Sequence, residues 1–194
     1  MKNFVICLEN HLGSQAQLPK CLESADKFGW RMEVFPGING LTANWNSYNI
    51  KIDHRHKKTV KDMQMPGVRG CFLSHWYLWQ KCLKLNDTIG IFEFDVIFKK
   101  PAPTMIPADV VKLGGFIPAK PSPATGNWWG GAYAYILTPT GAKKLLDWTN
   151  TWGASPADIM LGDNVLDIAF DLDERIEFID LHFSTTKNLE NEMR

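Results

Sequence analysis

The sequence carries no excess charge of either sign. Lys plus Arg and Asp plus Glu number 21 each, so the formal net charge is zero and no long-range field draws the chain to nucleic acid or an anionic membrane. An anionic ligand has to be met locally. There is no run of about 18 apolar residues of the kind that spans a bilayer. The opening MKNFVICLEN also lacks the long apolar stretch and small-residue cleavage site of a secretory leader, so a soluble, cytoplasmic protein is the expectation. No C-x-x-C pair occurs. Cys7, Cys21, Cys71 and Cys82 sit singly in apolar patterns, which fits reduced packing thiols better than zinc ligands or a disulfide frame. Phosphate-cradling motifs are missing as well: no G-x-x-x-x-G-K-[ST], and no G-x-G-x-x-G after the first strand, which disfavours a P-loop or a Rossmann cofactor. No repeat or low-complexity tract is present.

What remains is enough for one domain, residues 1–194, with a sizeable core. NFVICL reads as a strand, and the helical spacing of Leu18, Cys21, Leu22, Ala25 and Phe28 before Gly29 reads as a helix with its stop. RMEVF gives a second strand, ending at the turn PGING. Residues 41–65, polar and containing DHRHKK, read as a long surface loop. There His54 and His56 fit a solvated basic segment better than a metal site. From Gly70 a helix is expected, with Phe72, Trp76, Trp79 and Leu83 on one stripe, Cys71, His75, Leu78 and Cys82 beside it, and Ser74 on the other side. Strands are expected over GIFEFDVIFKK, near GGFIP, over AYAYILT and over RIEFIDL. Helix starts are expected at Thr138-Pro139 and at Ser155-Pro156, with Asp158 as the acid of its first turn. Alternating strands and helices argue for an α/β fold, a mostly parallel sheet flanked by helices.

GIFEFDVIFKK is an otherwise dry strand that carries two acids. Strand alternation puts Ile91, Glu93, Asp95 and Ile97 on one face and Phe92, Phe94, Val96 and Phe98 on the other. Buried carboxylates left unpaired would cost several kcal/mol or shift their pKa values. They therefore meet a divalent metal, a Lys or Arg, backbone N–H groups, or water at the strand end; the residues alone leave these open. A ligand site in an open α/β sheet lies at the carboxyl ends of its strands, where this pair falls if the strand ends near Val96. Ser74 and His75 are adjacent, so on a helix they point about 100° apart and make no nucleophile pair. His75 is expected to be a satisfied core residue.

GVRGCFLSHWYLWQKCL, IGIFEFDVIF, GGAYAYILTPTGAKKLL and SPAD, in this order and spacing, resemble glycosyltransferase family 25. This family comprises the lipooligosaccharide-type galactosyltransferases and their collagen-modifying relatives. FVICLENHLGSQAQLPKCL and FPGING stand where that family has its first strand, first helix and the turn after its second strand. The resemblance covers most of residues 3–166. It implies a GT-A-type fold, a UDP-sugar donor, Mn2+ (or Mg2+) on the diphosphate, a glycan or lipid-linked saccharide acceptor, and inversion. It implies Asp95, Glu93 and His182 as metal ligands, with Leu8, Asn39, Gly40, Ser74, Phe94 and Lys187 around the donor. Asp158 is implied as the general base, with its role as a helix-cap acid and Asp163 as alternatives. From the residues themselves, GNWWGGAY offers Trp128 and Trp129 as indole faces for an acceptor sugar, with Gly130 and Gly131 allowing close backbone approach and two core tryptophans as the alternative. The family's Glu-Asp-Asp is Glu93-Phe94-Asp95 here, and Val68 stands where the family tends to have an acid. These departures keep two rival readings in view: a nucleotide-sugar or glycan-binding domain with the same fold and weak catalysis, and a metal-dependent phosphoryl or nucleotidyl transferase.

Overall fold

A computed structural model describes residues 1–114, 120–122 and 125–179. The apolar runs become a six-stranded sheet in the order β2 (Met32–Pro36), β1 (Lys2–Cys7), β3 (Ile89–Glu93), β8 (Ala134–Leu137), β5 (Val110–Lys112), β9 (Ile168–Phe170). All of these strands run parallel except β8, which is antiparallel to both of its neighbours. This is the expected α/β class, with a mostly parallel sheet flanked by helices. Being covered on both faces explains why β1 and β3 read as near-continuous apolar runs. One face carries Phe4, Ile6, Ile89, Ile91 and Tyr135 against α3 (Pro66–Leu85) and α4 (Pro139–Trp152). The other carries Val5, Phe92, Ala134 and Ile136 against α1 (Leu12–Lys27).

The helix ends follow local chemistry. Helix α1 starts at a His11 cap whose Nδ1 accepts from the Ser14 amide at 3.0 Å, and the chain turns back at Gly29, where φ is +75°. Thr138 caps α4, its hydroxyl accepting from the Gly141 amide at 3.2 Å, as expected. The second expected cap fails: α5 (Ala157–Met160) is a single turn whose cap position is Pro156. Helix α3 begins four residues before Gly70 and is rotated from the expected stripe, with Leu83 41% exposed and Ser74 only 2%. A polar Ser74 can be buried because its hydroxyl donates to the Gly70 carbonyl and accepts from the Ile38 amide, both at 2.8 Å.

Two further expectations are corrected. GIFEFDVIFKK is not one strand: it pairs in the main sheet to Glu93, turns at Phe94-Asp95, and resumes as β4 (Val96–Phe98), which pairs with β10 (Ile176–Phe178) in a separate two-stranded sheet. Phe92, Phe94, Val96 and Phe98 nevertheless share one core cluster, as the alternation implied. The strand expected near GGFIP falls on residues 115–119, outside the described residues; β5 lies just upstream of it. Residues 41–65 are an ordered connection, with a 3-10 turn at Trp45–Tyr48 and a short helix α2 (Lys57–Asp62). They are tied down at Asp53, fully buried, whose carboxylate takes Nε and Nη2 of Arg55 at 2.9 and 2.6 Å. The Arg55 guanidinium in turn lies over Trp148 and Trp152, 4.9 and 4.3 Å from the ring centroids.

Removing one partner of a buried pair strands the other's charge. Arg55→Ala should therefore lower unfolding stability by about 2–3 kcal/mol in urea titrations. Lys58→Ala, which breaks an exposed pair with Asp62 at 2.8 Å, should cost under ~0.5 kcal/mol.

Candidate functional site

Strands β1, β3 and β5 run in the same direction, so their carboxyl ends lie along one edge of the sheet, where open α/β sheets place their ligands. Leu8 follows the end of β1, Glu93 ends β3 and Lys112 ends β5. Register puts Ile91 beside Tyr135 and Tyr135 beside Lys112. By strand alternation Glu93, Tyr135 and Lys112 therefore project to the same face, the one that α3 covers. A cleft opens there, lined by Leu8, Cys71, Ser74, His75, Glu93 and Phe94 among others.

A buried chain of hydrogen bonds sets the Glu93 carboxylate. The Trp79 indole N–H, which can only donate, gives its hydrogen to the Tyr135 oxygen at 2.9 Å. The Tyr135 hydroxyl pairs with His75 Nδ1 at 2.8 Å, and His75 Nε2 lies 3.4 Å from Glu93 Oε1; with the imidazole hydrogen on Nε2 the ring donates to the carboxylate and Tyr135 donates to Nδ1. The Cys71 thiol donates to the same oxygen at 3.9 Å. From the other side, the Glu93 amide donates to the Tyr133 carbonyl at 2.7 Å. His75 is fully buried, as expected of a core histidine, yet its outer nitrogen belongs to the cleft.

Three carboxylates act on this spot. Burial first, then the charges of Glu93, Asp158 and Asp95, push the Cys71 thiol well above its ordinary range. Asp95 sits in the turn after β3, 9% exposed. The Asp158 carboxyl is also pushed up, chiefly by burial and partly by Glu93, against the lowering effect of the Ile159 amide and of Lys112. Lys112 has its ammonium occupied: it donates to the carbonyls of Trp129, of Gly130 at 3.4 Å and of Gly131 at 2.8 Å. Its burial lowers its pKa to about 8. Carboxylate oxygens in a concentration of negative charge are the chemistry that suits a hard divalent cation, and Glu93, at the end of β3 in the cleft, is placed to offer one.

The remaining expected residues divide. Asn39 and Gly40 lie in the turn that packs on the start of α3, where a Cβ on Gly40 would overlap the Pro66 carbonyl. Ser74 pins this turn through Ile38. Asp163 is engaged elsewhere, accepting from the Asn127 amide at 2.8 Å and from its side-chain amide at 3.0 Å. Trp128 belongs to β7 (Gly126–Trp128), which pairs with β6 (Lys120–Ser122), and the Lys120 ammonium lies 5.6 Å from its ring centroid. Trp129 turns away to meet Phe170 edge-on at 5.0 Å, while Gly130 and Gly131 form the tether under Lys112. His182 and Lys187 lie outside the described residues. Sequence reasoning missed Lys112 and Tyr135; their signals were a lone lysine ending an apolar run and a tyrosine inside a buried strand.

Tyr135→Phe would leave both the Trp79 N–H and His75 Nδ1 buried without partners. It should cost about 2–4 kcal/mol in urea unfolding, whereas the same change at Tyr77, 38% exposed, should cost under ~1 kcal/mol.

Comparison with known proteins points to one family. The sequence profile of glycosyltransferase family 25, described as LPS biosynthesis protein, matches residues 1–109. Two curated relatives are each named a glycosyltransferase 25 family member. That of Aedes aegypti is 26% identical over 157 residues, which is 66% of this chain and 25% of that protein. That of Anopheles gambiae is 27% identical over 157 residues, 66% of this chain and 26% of that protein. The matched stretch thus spans about a quarter of the curated relatives. Among solved structures, a mutant Drosophila beta-1,4-galactosyltransferase 7 in complex with manganese, UDP-Gal and xylobiose aligns at TM-score 0.47 and 9% identity, over 100% of this chain and 74% of that one. Galactosyltransferase LgtC with donor and acceptor sugar analogues aligns at 0.46 and 11%, over 87% and 72%.

Proposed function

The chain belongs to glycosyltransferase family 25, and from that premise we propose that it transfers a hexose, galactose or glucose, from a UDP-sugar to a hydroxyl of a glycan or lipid-linked saccharide, with inversion. The observation that supports this reading is Glu93 at the carboxyl end of β3, in the cleft beside Cys71, whose thiol also feels the charges of Asp158 and Asp95. Glu93 and Asp95 would hold Mn2+ or Mg2+, with His182 as a further ligand and Lys187 beside the diphosphate, both through the family resemblance. A cation held there would neutralise charge on the departing nucleoside diphosphate. Leu8, Phe94 and Ser74 line the cleft with Glu93, and Asn39 and Gly40 belong to the turn docked beside it, which supports their place around the donor. Phe94 supplies an apolar wall where the family has an acid.

Asp158 acts as general base. It takes the proton of the acceptor hydroxyl as that oxygen bonds to the anomeric carbon and the bond from this carbon to the diphosphate oxygen breaks, releasing UDP. A carboxyl pushed upward by burial is better matched to that role than an exposed one. Asp163 is the weaker candidate because Asn127 already occupies both its oxygens. Trp128 offers an indole face for the acceptor sugar, and Lys112 holds the adjoining carbonyls of 129–131 in place. The alternative, a binding domain of the same fold, is distinguished by turnover.

Slow hydrolysis of UDP-galactose or UDP-glucose is expected with Mn2+ and should be lost in Asp95→Ala; equal hydrolysis by both proteins would remove Asp95 from the mechanism. Activity should rise with pH along a limb set by Asp158, above the ordinary aspartate range. Asp158→Asn should remove that limb and lower kcat by roughly 10²–10⁴. In the folded chain a raised carboxyl pKa means stability that falls as pH rises from the unfolded value through the raised one. The Asn variant should therefore unfold no earlier than wild type at pH 7.

A further inference from the structure

We propose that Cys71, His75 and Glu93 form a site for a thiophilic divalent cation of the Zn2+ type. It rests on the proposed reading only in that Glu93 is shared. Cys71 and His75 are one turn apart on α3 and face the same way, and the end of β3 brings Glu93 across to them. One ligand atom from each lies within 4.8 Å of the others, with His75 Nε2 3.4 Å and Cys71 Sγ 3.9 Å from Glu93 Oε1. A tetrahedral zinc ion, with bonds of about 2.3 Å to sulfur and about 2.0–2.1 Å to nitrogen and oxygen, needs its ligands roughly 3.3–3.5 Å apart. The two separations to Glu93 Oε1 are therefore within a few tenths of an ångström of a closed ligand set, the third lies within 4.8 Å, and the cleft leaves a fourth position open.

The surroundings match as well. Ligating histidines are usually steered by a partner on their other nitrogen, and Tyr135 stands 2.8 Å from His75 Nδ1. Thiolate and imidazole select a borderline-soft ion over Mn2+ or Mg2+, so this set differs in kind from Glu93 with Asp95. Binding is balanced by protons. The Cys71 thiol releases its proton to solvent as sulfur bonds the cation, and the His75 ring gives up the Nε2 hydrogen and carries one on Nδ1 instead, donating to the Tyr135 oxygen. The exchange costs the Tyr135 hydroxyl its acceptor, against which stand three metal–ligand bonds. Occupation by Zn2+ removes Glu93 from the donor cation, so Zn2+ should inhibit where Mn2+ activates.

Co2+ as a coloured stand-in for Zn2+ tests this without any sugar nucleotide. Titration of the full chain should give a near-ultraviolet thiolate-to-cobalt band that saturates at one equivalent, disappears when Zn2+ is added, is lost in Cys71→Ser and survives in Asp95→Ala. No band, or an undiminished band in Cys71→Ser, overturns the proposal. Zinc K-edge absorption on the wild type reads the same site should that variant not fold. One sulfur among nitrogen and oxygen neighbours supports the assignment, and a shell without sulfur overturns it. Neither readout involves UDP, so failure of sugar transfer and failure of this site are separable.

Discussion

The contact on which the cleft depends is the one between the His75 imidazole and the Glu93 carboxylate, made at the point where β3 leaves the sheet. A carboxylate there faces two options: retreat to solvent, or be held by donors. Helix α3 supplies the donors, and Tyr135, which also takes the Trp79 N–H, braces the inner nitrogen of the imidazole. The chain is buried from Trp79 to His75 and emerges only at Glu93, whose side chain is 25% exposed. Orientation set in a dry interior is thus delivered to a carboxylate that faces the cleft, as preorganised sites require.

The same helix explains why G-C-x-L-S-H reads as a unit. Gly70 has no Cβ because the Ile38 carbonyl and Gly40 amide occupy that space. Ser74, one turn on, accepts the Ile38 amide. Cys71 and His75, the next residues of each pair, turn into the cleft against Glu93. One pair of positions docks the turn of residues 38–40 beside the cleft and the neighbouring pair holds an acid at the strand end. Lys112 plays the corresponding part on the far side, exchanging its hydration for three carbonyls of the 129–131 segment at the expense of a pKa lowered to about 8.

Strand and helix order was legible in the sequence where apolar periodicity was long, as in β1, α1, α3 and α4. It failed where geometry depends on partners distant in the chain. Three-residue strands such as β5 and β9 carry too little pattern to be seen. The parity that placed Glu93 and Asp95 together assumed a continuous strand, and the turn at Phe94-Asp95 breaks it; the charges of both acids still reach Cys71. Residues 41–65 looked like a loop because Asp53 and Arg55 are polar, yet together with Trp148 and Trp152 they anchor it. Ser74 looked solvent-facing because its hydroxyl's partner, the Ile38 amide, is 36 positions away.

The central claim is that Glu93 and Asp95 form a hard-cation site through which a uridine diphosphate is held. Calorimetric titration of UDP into the full chain, with Mn2+ and with the metal chelated away, tests it most directly. The account predicts binding that requires Mn2+ and weakens at least about tenfold in Glu93→Gln, a loss of ~1.4 kcal/mol. Binding of equal strength with and without Mn2+, or no binding under either condition, would contradict it.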